Sequence, residues 1–224
     1  MTTHWLKFVL KSDAAFGRGD GVAGLIDSEV QHDEYGLPYL GGRSLKGLLG
    51  EECANILFAL KCQGQEQHWQ QAAQHLFGRP GSRENDQALL RIGDARLPED
   101  LCQAVKRGFE RDELNRGQVL RSLTAIRQQT SMEVDGAPKK ETLRSTRVIL
   151  RKTPFEAALT FLTEPTQNDL ALLAACIKAL RRAGTGRNRG RGELDARLCD
   201  VQGCDITQAC LERFEEAVRK GASK

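Results

Sequence analysis

Asp27 stands directly after the apolar pair Leu25-Ile26 and before Ser28. A carboxylate held by a short apolar segment at the edge of a loop can bind a metal ion or handle a proton, although most aspartates in such places cap a turn. Ten residues on, Leu37-Pro38-Tyr39-Leu40-Gly41-Gly42-Arg43-Ser44-Leu45-Lys46-Gly47 breaks a loop into a helix. Ser44 has the chemistry of an N-cap, so the helix is expected to start there. Unpaired N–H groups and the positive end of the helix dipole favour an anion, and Arg43 and Lys46 add formal charge. That is the pattern of a phosphate seat, and equally of an ordinary capped helix with solvated basic residues.

A third stretch, Gly184-Thr185-Gly186-Arg187-Asn188-Arg189-Gly190-Arg191-Gly192, looks at first like a dinucleotide fingerprint. Those glycines must follow a strand and open a helix, whereas these follow a helix and precede a strand-like run, so that reading fails on context. What remains is a loop whose backbone can approach a polyanion while its arginines offer fork-shaped donors. A solvated arginine loop has the same sequence.

Charge distribution points the same way more clearly than the total does. Thirty-three Lys and Arg against 30 Asp and Glu give a net charge of only +3. Between Arg121 and Lys152, however, eight basic residues face Glu133, Asp135 and Glu141, and between Lys178 and Arg197 seven face Glu193 and Asp195. Such patches attract polyanions. The seven cysteines are odd in number and scattered, as expected of reduced thiols. Cys62, His68 and His75 lack the paired spacing of a structural zinc site. No apolar run reaches membrane-span length and no signal core opens the chain, which gives a cytoplasmic expectation.

The elements that must position these residues follow from periodicity. His4, Leu6, Phe8 and Leu10 alternate with Trp5, Lys7, Val9 and Lys11, the pattern of a half-buried strand. A long glycine-rich connection from 12 to 42 follows. Leu45, Leu48, Leu49, Cys53, Ile56, Leu57 and Leu60 mark one face of a helix, and Trp69, Ala72, Ala73, Leu76 and Phe77 mark a second. Residues 79–87 read as polar loop, 88–97 as a strand, and 98–117 as partly helical. Two polar, basic arms around Asp135-Gly136 make a β-hairpin, which must project into solvent or lie on a partner because it cannot bury a face of its own. Phe155 to Thr163 alternates as a strand. Thr166 and Asp169 open a helix that Gly184 is placed to end. Glu193 to Val201 is strand-like, and Ile206 to Val218 forms a closing helix.

This order gives an α+β, βαββαβ plan, the ferredoxin-like arrangement also used by RNA recognition motifs. The aromatic stacking signature of those motifs is missing, and aromatics are only 5% of the chain. Backbone tracking by loops and helix termini therefore fits better than base stacking.

Taken as an ordered series, the chain resembles the RAMP superfamily, and within it the backbone subunit of type III CRISPR effector complexes. The residues carrying the resemblance are Phe16-Gly17-Arg18-Gly19, Ile26-Asp27-Ser28, Gly36-Leu37-Pro38-Tyr39, Ser44-Leu45-Lys46-Gly47, Leu76-Phe77-Gly78, Arg91-Ile92 with Asp94-Ala95, Thr124-Ala125-Ile126, and the loop from Gly184 to Gly192. The resemblance implies a single RAMP domain over 1–224. Its palm core would span about 4–120 and 153–201, its projecting thumb hairpin about 121–152, and its C-terminal helix about 205–220.

It further implies a subunit that stacks with paralogues or copies of itself, and with other type III effector subunits, along a guide RNA. Asp27 matches the catalytic aspartate that cuts complementary target RNA with a divalent cation, taken as Mg²⁺. Arg18, Arg43, Ser44, Lys46, Gly184, Gly186, Arg187, Arg189 and Arg191 would hold guide RNA. Thr124, Ile126, Arg127 and Thr130 would meet target RNA at the thumb. Arg127 stands where the family often has an acid, and Arg43 where a small residue is common. The alternatives are a non-cutting scaffold subunit, and a guide-processing ribonuclease leaning on His32.

Overall fold

The computed structural model of the chain describes residues 1–19, 21, 26–79, 88–130, 135–136 and 142–222. Asp20, Leu25, the stretch 80–87 expected as a polar loop, and Glu133, Lys139-Lys140 and Glu141 lie outside them.

The elements run β1 (Thr2–Leu10), α1 (Gly42–Lys61), α2 (Glu66–Phe77), β2 (Leu90–Ile92), α3 (Glu99–Glu110), α4 (Arg116–Leu123), β3 (Thr124–Gln129), β4 (Arg144–Ile149), β5 (Pro154–Phe161), α5 (Gln167–Ala179), β6 (Leu194–Cys199) and α6 (Thr207–Ala222). Strands pair in the order β2-β5-β1-β6, every pair antiparallel. With α1 and α5 as the crossover helices this is the ferredoxin-like plan, carrying α2, α3, α4 and a β3–β4 hairpin as insertions.

The alternation in β1 sets the layers. His4, Leu6, Phe8 and Leu10 turn to the buried face. Phe8 pairs with Phe155 across β5 and stacks on it at 5.1 Å, while Leu6 pairs with Leu198 across β6. The apolar faces of α1 and α5 close over them, with Leu45, Leu49, Cys53, Leu172, Cys176 and Ile177 all buried in one core. Trp69 of α2 and Phe214 of α6 meet at 4.6 Å and seal one side of that core. Burying side chains of this size yields roughly 1.5–3 kcal/mol each.

Several boundaries differ from the sequence expectation. Helix α1 starts at Gly42, two residues before Ser44, with Gly41 at the N-cap and no side-chain cap bond. A Cβ on Gly42 would lie 2.3 Å from the carbonyl oxygen of Ile92, so only glycine lets the helix begin against the end of β2. Helix α5 does open on the Thr166–Asp169 capping box, but it stops at Ala179 and not at Gly184. Arg182 pairs with Glu193 instead, and this sheet-edge pairing draws the chain out of the helix. The strand at 88–97 shrinks to Leu90–Ile92 with single bridges from Ala95 to Leu40 and from Arg96 to Glu156. Residues 98–117 and beyond form two helices, α4 opening on an Asn115–Gln118 capping box.

The hairpin forms as expected, Thr124 opposite Ile149 through Gln129 opposite Arg144. Its root is not solvated, however. Thr124, Val148 and Ile149 are buried, and Ile149 also bridges Ala14. Only the outer arms are exposed. Among the described residues no helix is long and apolar enough to cross a membrane.

Candidate nucleic-acid interface

Asp27 sits in a short extended segment that is clasped on both sides. On one side Arg18 N–H donates to Glu29 O at 2.9 Å and Gln31 N–H to Phe16 O at 2.7 Å. On the other, Asp27 N–H donates to Ser145 O at 2.9 Å, Arg147 N–H donates to Ser28 O at 3.0 Å, and Ser28 bridges Thr146 in parallel. The aspartate segment therefore runs alongside β4, joined to it by a single parallel bridge. The Asp27 side chain is exposed, and its Oδ2 accepts the Ser145 N–H at 2.6 Å. Among the described residues its Oδ1 accepts no hydrogen bond.

The first two amides at the amino-terminal end of α1 are taken by side chains of the protein itself. Gly42 N–H donates to Asp94 Oδ1 at 2.9 Å, and Gly41 N–H to Gln31 Oε1 at 3.3 Å. A carboxylate thus stands where a bare phosphate seat was expected, because β2 ends against this helix and delivers Asp94 to it. Arg43 and Ser44 point outward and are exposed. Lys46 is half-buried, and that burial lowers its ammonium pKa from the ordinary lysine value.

The glycine loop docks on the segment after β1. Thr185 N–H donates to Ala15 O at 2.8 Å, and Gly192 N–H to Asp13 O at 2.9 Å. Gly184 has φ +90°, and a Cβ there would stand 2.5 Å from Ala15 O, so glycine is required for the approach. Gly186 and Gly190, both left-handed, bracket a single 3₁₀ turn at Arg187–Arg189. Arg187 reaches Glu51 of α1 at 3.4 Å, which sets the loop beside the same helix that carries Lys46. Arg189 is exposed and Arg191 half-buried.

The thumb residues divide. Thr124 lies buried at the root, where its hydroxyl donates to Leu120 O and accepts from Arg147 Nη1 at 3.2 Å. Ile126 is 49% exposed on this polar strand. Arg127 is held by Asp13 at 2.8 Å, and Asp13 also takes the Arg151 N–H at 3.1 Å. Thr130 meets Thr142 across the arms at 2.9 Å, far up the hairpin.

The structure brings some of the sequence candidates together. Arg127 of the thumb and Arg191 of the glycine loop line one groove of about 770 Å³ with Lys11, Arg151 and Lys152, against a single acid, Asp13. Arg18 lies on the segment that pairs with the Asp27 segment, its N–H on Glu29 O, and Thr130 directly follows Gln128 and Gln129, which line the groove. His32 was a further candidate; its Nδ1 lies 3.0 Å from Asp33 O, and Arg116 Nη2 approaches its Nε2 at 3.3 Å.

Glu29, Arg147, Asp13 and Asp94 escaped sequence reasoning. Charged residues flanked by Ile26 and Val30, or by Val148 and Ile149, are the signal that was available for the first two. Among the described residues no group of three or more His, Cys, Asp or Glu side chains converges as a metal-ligating set. Asp27 offers a hard carboxylate oxygen, a donor set that suits a hard cation completed by phosphate oxygens and water.

Comparison with known proteins supplies the lineage. A model of the RAMP superfamily matches residues 7–195. No curated protein matches the chain. Among solved structures, a chain of the type III-B Cmr-beta cryo-EM structure bound to cognate target RNA is similar at a TM-score of 0.61 and 15% identity, covering 90% of this chain and 98% of that one. A chain of the apo-state type III-B Cmr-beta structure is similar at 0.59 and 15%, covering 88% and 97%. At such identity the likeness is one of fold.

Proposed function

The chain belongs to the RAMP superfamily, and from that membership we propose that it is a guide-RNA-binding backbone subunit of a type III CRISPR effector complex that cuts complementary target RNA through Asp27. The observation that carries the proposal is the tie between Asp27 and Ser145 on the β4 arm of the thumb. Its Oδ2 accepts the Ser145 N–H at 2.6 Å, which anchors one carboxylate oxygen and leaves Oδ1 as the atom through which it acts in this reading. Guide and target RNA and neighbouring subunits are the partners in this reading, and the nuclease works only in the assembled complex.

Each part of the chain then has a separate task. The groove cations Lys11, Arg127, Arg151, Lys152 and Arg191 neutralise phosphates and hold the backbone without reading sequence, which base pairing does. The thumb presents the exposed Ile126 to the bases. Asp27 orients one carboxylate oxygen at the scissile phosphate, where it either helps hold a cation or takes the proton of the attacking hydroxyl. A divalent cation, Mg²⁺ in this reading, would be held by Asp27 with phosphate oxygens and would supply Lewis acidity there.

One observation favours a second reading. Asp27 stands without a cluster of further acids among the described residues, as suits a scaffold that binds guide RNA and leaves cutting to another subunit. The two readings separate in one experiment: cleavage of a guide-complementary RNA by the purified complex with magnesium, wild type against Asp27→Ala, with assembly and guide content matched. Loss of cuts supports the nuclease. Unchanged cuts leave the scaffold.

A further inference from the structure

We propose that the ion pair between Glu29 and Arg147 is the pin that fixes the position of Asp27, an inference that rests on the reading of Asp27 as the cutting residue. Both side chains are withdrawn from solvent, 7% and 14% exposed, and Arg147 Nε reaches Glu29 Oε1 at 2.8 Å and Oε2 at 3.1 Å. Val30 N–H adds a third bond to Oε1 at 2.9 Å. Arg147 spends its Nη1 on Thr124 Oγ1 at 3.2 Å, and Thr124 in turn bonds Leu120 O at the end of α4. One arginine therefore ties the aspartate segment, both arms of the thumb and α4 to one another.

Compared with the clasp from Phe16 to Arg18 on the other side, the pairing on the β4 side is short, and the need for such a pin follows from that. Asp27 and Ser28 are attached there by short backbone pairing to Ser145 and Thr146. Pairing this brief tolerates slippage, and a slip of one residue turns Asp27 to the opposite face. A buried acid two residues along permits only one register, because any other leaves a charge buried without its partner. Apolar residues at both positions would pack without specifying register. Glu29 and Arg147 are thus positioning residues, and the carboxylate of Asp27 keeps its place relative to the thumb even as RNA is drawn across it.

The test uses the assembled complex carrying Glu29→Gln, Arg147→Lys, or both, beside Asp27→Ala. Single-turnover cleavage, target-RNA affinity, and hydrogen exchange of the isolated subunit over 26–31 and over β5 are measured. The expected result is a fall in the cleavage rate of roughly ten- to hundredfold with target affinity within about twofold of wild type. Exchange should quicken at 26–31 but not in β5, and the double variant should be no slower than the slower single variant, as a shared interaction requires.

Wild-type rates in the single variants, with Asp27→Ala inactive, overturn the pin while leaving the nuclease reading intact. Slow cutting together with lost assembly or with faster exchange in β5 makes the pair merely structural and also overturns it. Unimpaired cutting by Asp27→Ala overturns the nuclease reading and, with it, this inference.

Discussion

Asp94 accepts the Gly42 N–H through Oδ1 at 2.9 Å, so a side chain 52 residues away closes the amino-terminal end of α1. The same carboxylate takes Arg96 through its other oxygen at 3.0 Å. Replacing it by alanine strips the helix of its acceptor, and a loss of about 1 kcal/mol is expected, seen as a melting temperature lower by about 2–4 °C. Asp94→Asn keeps an acceptor but drops the negative charge. RNA affinity at low salt should then rise about two- to fivefold; an unchanged affinity would mean that RNA does not approach this helix end.

Gly184 and Gly190 share a left-handed backbone but differ in what surrounds them. A Cβ at Gly184 meets Ala15 O, whereas one at Gly190 meets nothing within 4 Å. Gly190→Ala should cost about 1 kcal/mol from backbone strain alone. Gly184→Ala should cost more, about 1–3 kcal/mol of strain with the Ala15 contact added. Urea midpoints decide this, and equal losses would show that docking on Ala15 does not hold the loop.

The His4 ring is buried edge-on against Phe161 at 5.5 Å. Burial lowers its pKa from the ordinary 6.5, and the nearby Asp200 and Glu164 carboxylates only partly offset that. The unfolded chain therefore takes up a proton that the folded chain refuses in the window below 6.5. The sign is fixed: stability is full above that value and falls as pH drops through the lowered folded pKa. His4→Phe should flatten this limb below pH 6.5, read as the difference in urea midpoint between variant and wild type.

Arg191 and Arg127 line the same groove, but Asp13 already holds Arg127. Arg191→Ala should reduce the slope of log affinity against log salt by about 0.7 for single-stranded RNA. Asp13→Asn should act oppositely, freeing Arg127 and raising affinity at low salt. Salt titrations of the two variants giving the wild-type slope would remove the groove from the RNA path.

How far the sequence carried depends on the range of the forces involved. The alternation of β1, the Thr166–Asp169 capping box and the Asp135-Gly136 hairpin arise from neighbours along the chain, and each appeared where periodicity and turn chemistry put it. The Asn115–Gln118 box at the start of α4 was equally local and could have been read. Other features were set from far away. Ser44 looked like a cap because nothing nearby announced Asp94, and Gly184 looked like a helix stop because the pairing of Arg182 with Glu193 is invisible in either residue. Glu29 and Arg147 are 118 positions apart, so their union needed the fold.

Asp13, Ala14 and Ala15 are three consecutive residues with two lodgers. Asp13 and Ala15 carry the glycine loop through Gly192 and Thr185, while Asp13 and Ala14 carry the thumb through Arg127, Arg151 and Ile149. The spacing between the glycine loop and the thumb is consequently written into a tripeptide of backbone. Evolution can lengthen or redecorate the outer hairpin without disturbing that spacing, whereas a single inserted residue between 13 and 15 would throw the two out of step. The tripeptide works as a ruler, and it is the part of the chain where insertions should be rarest among descendants.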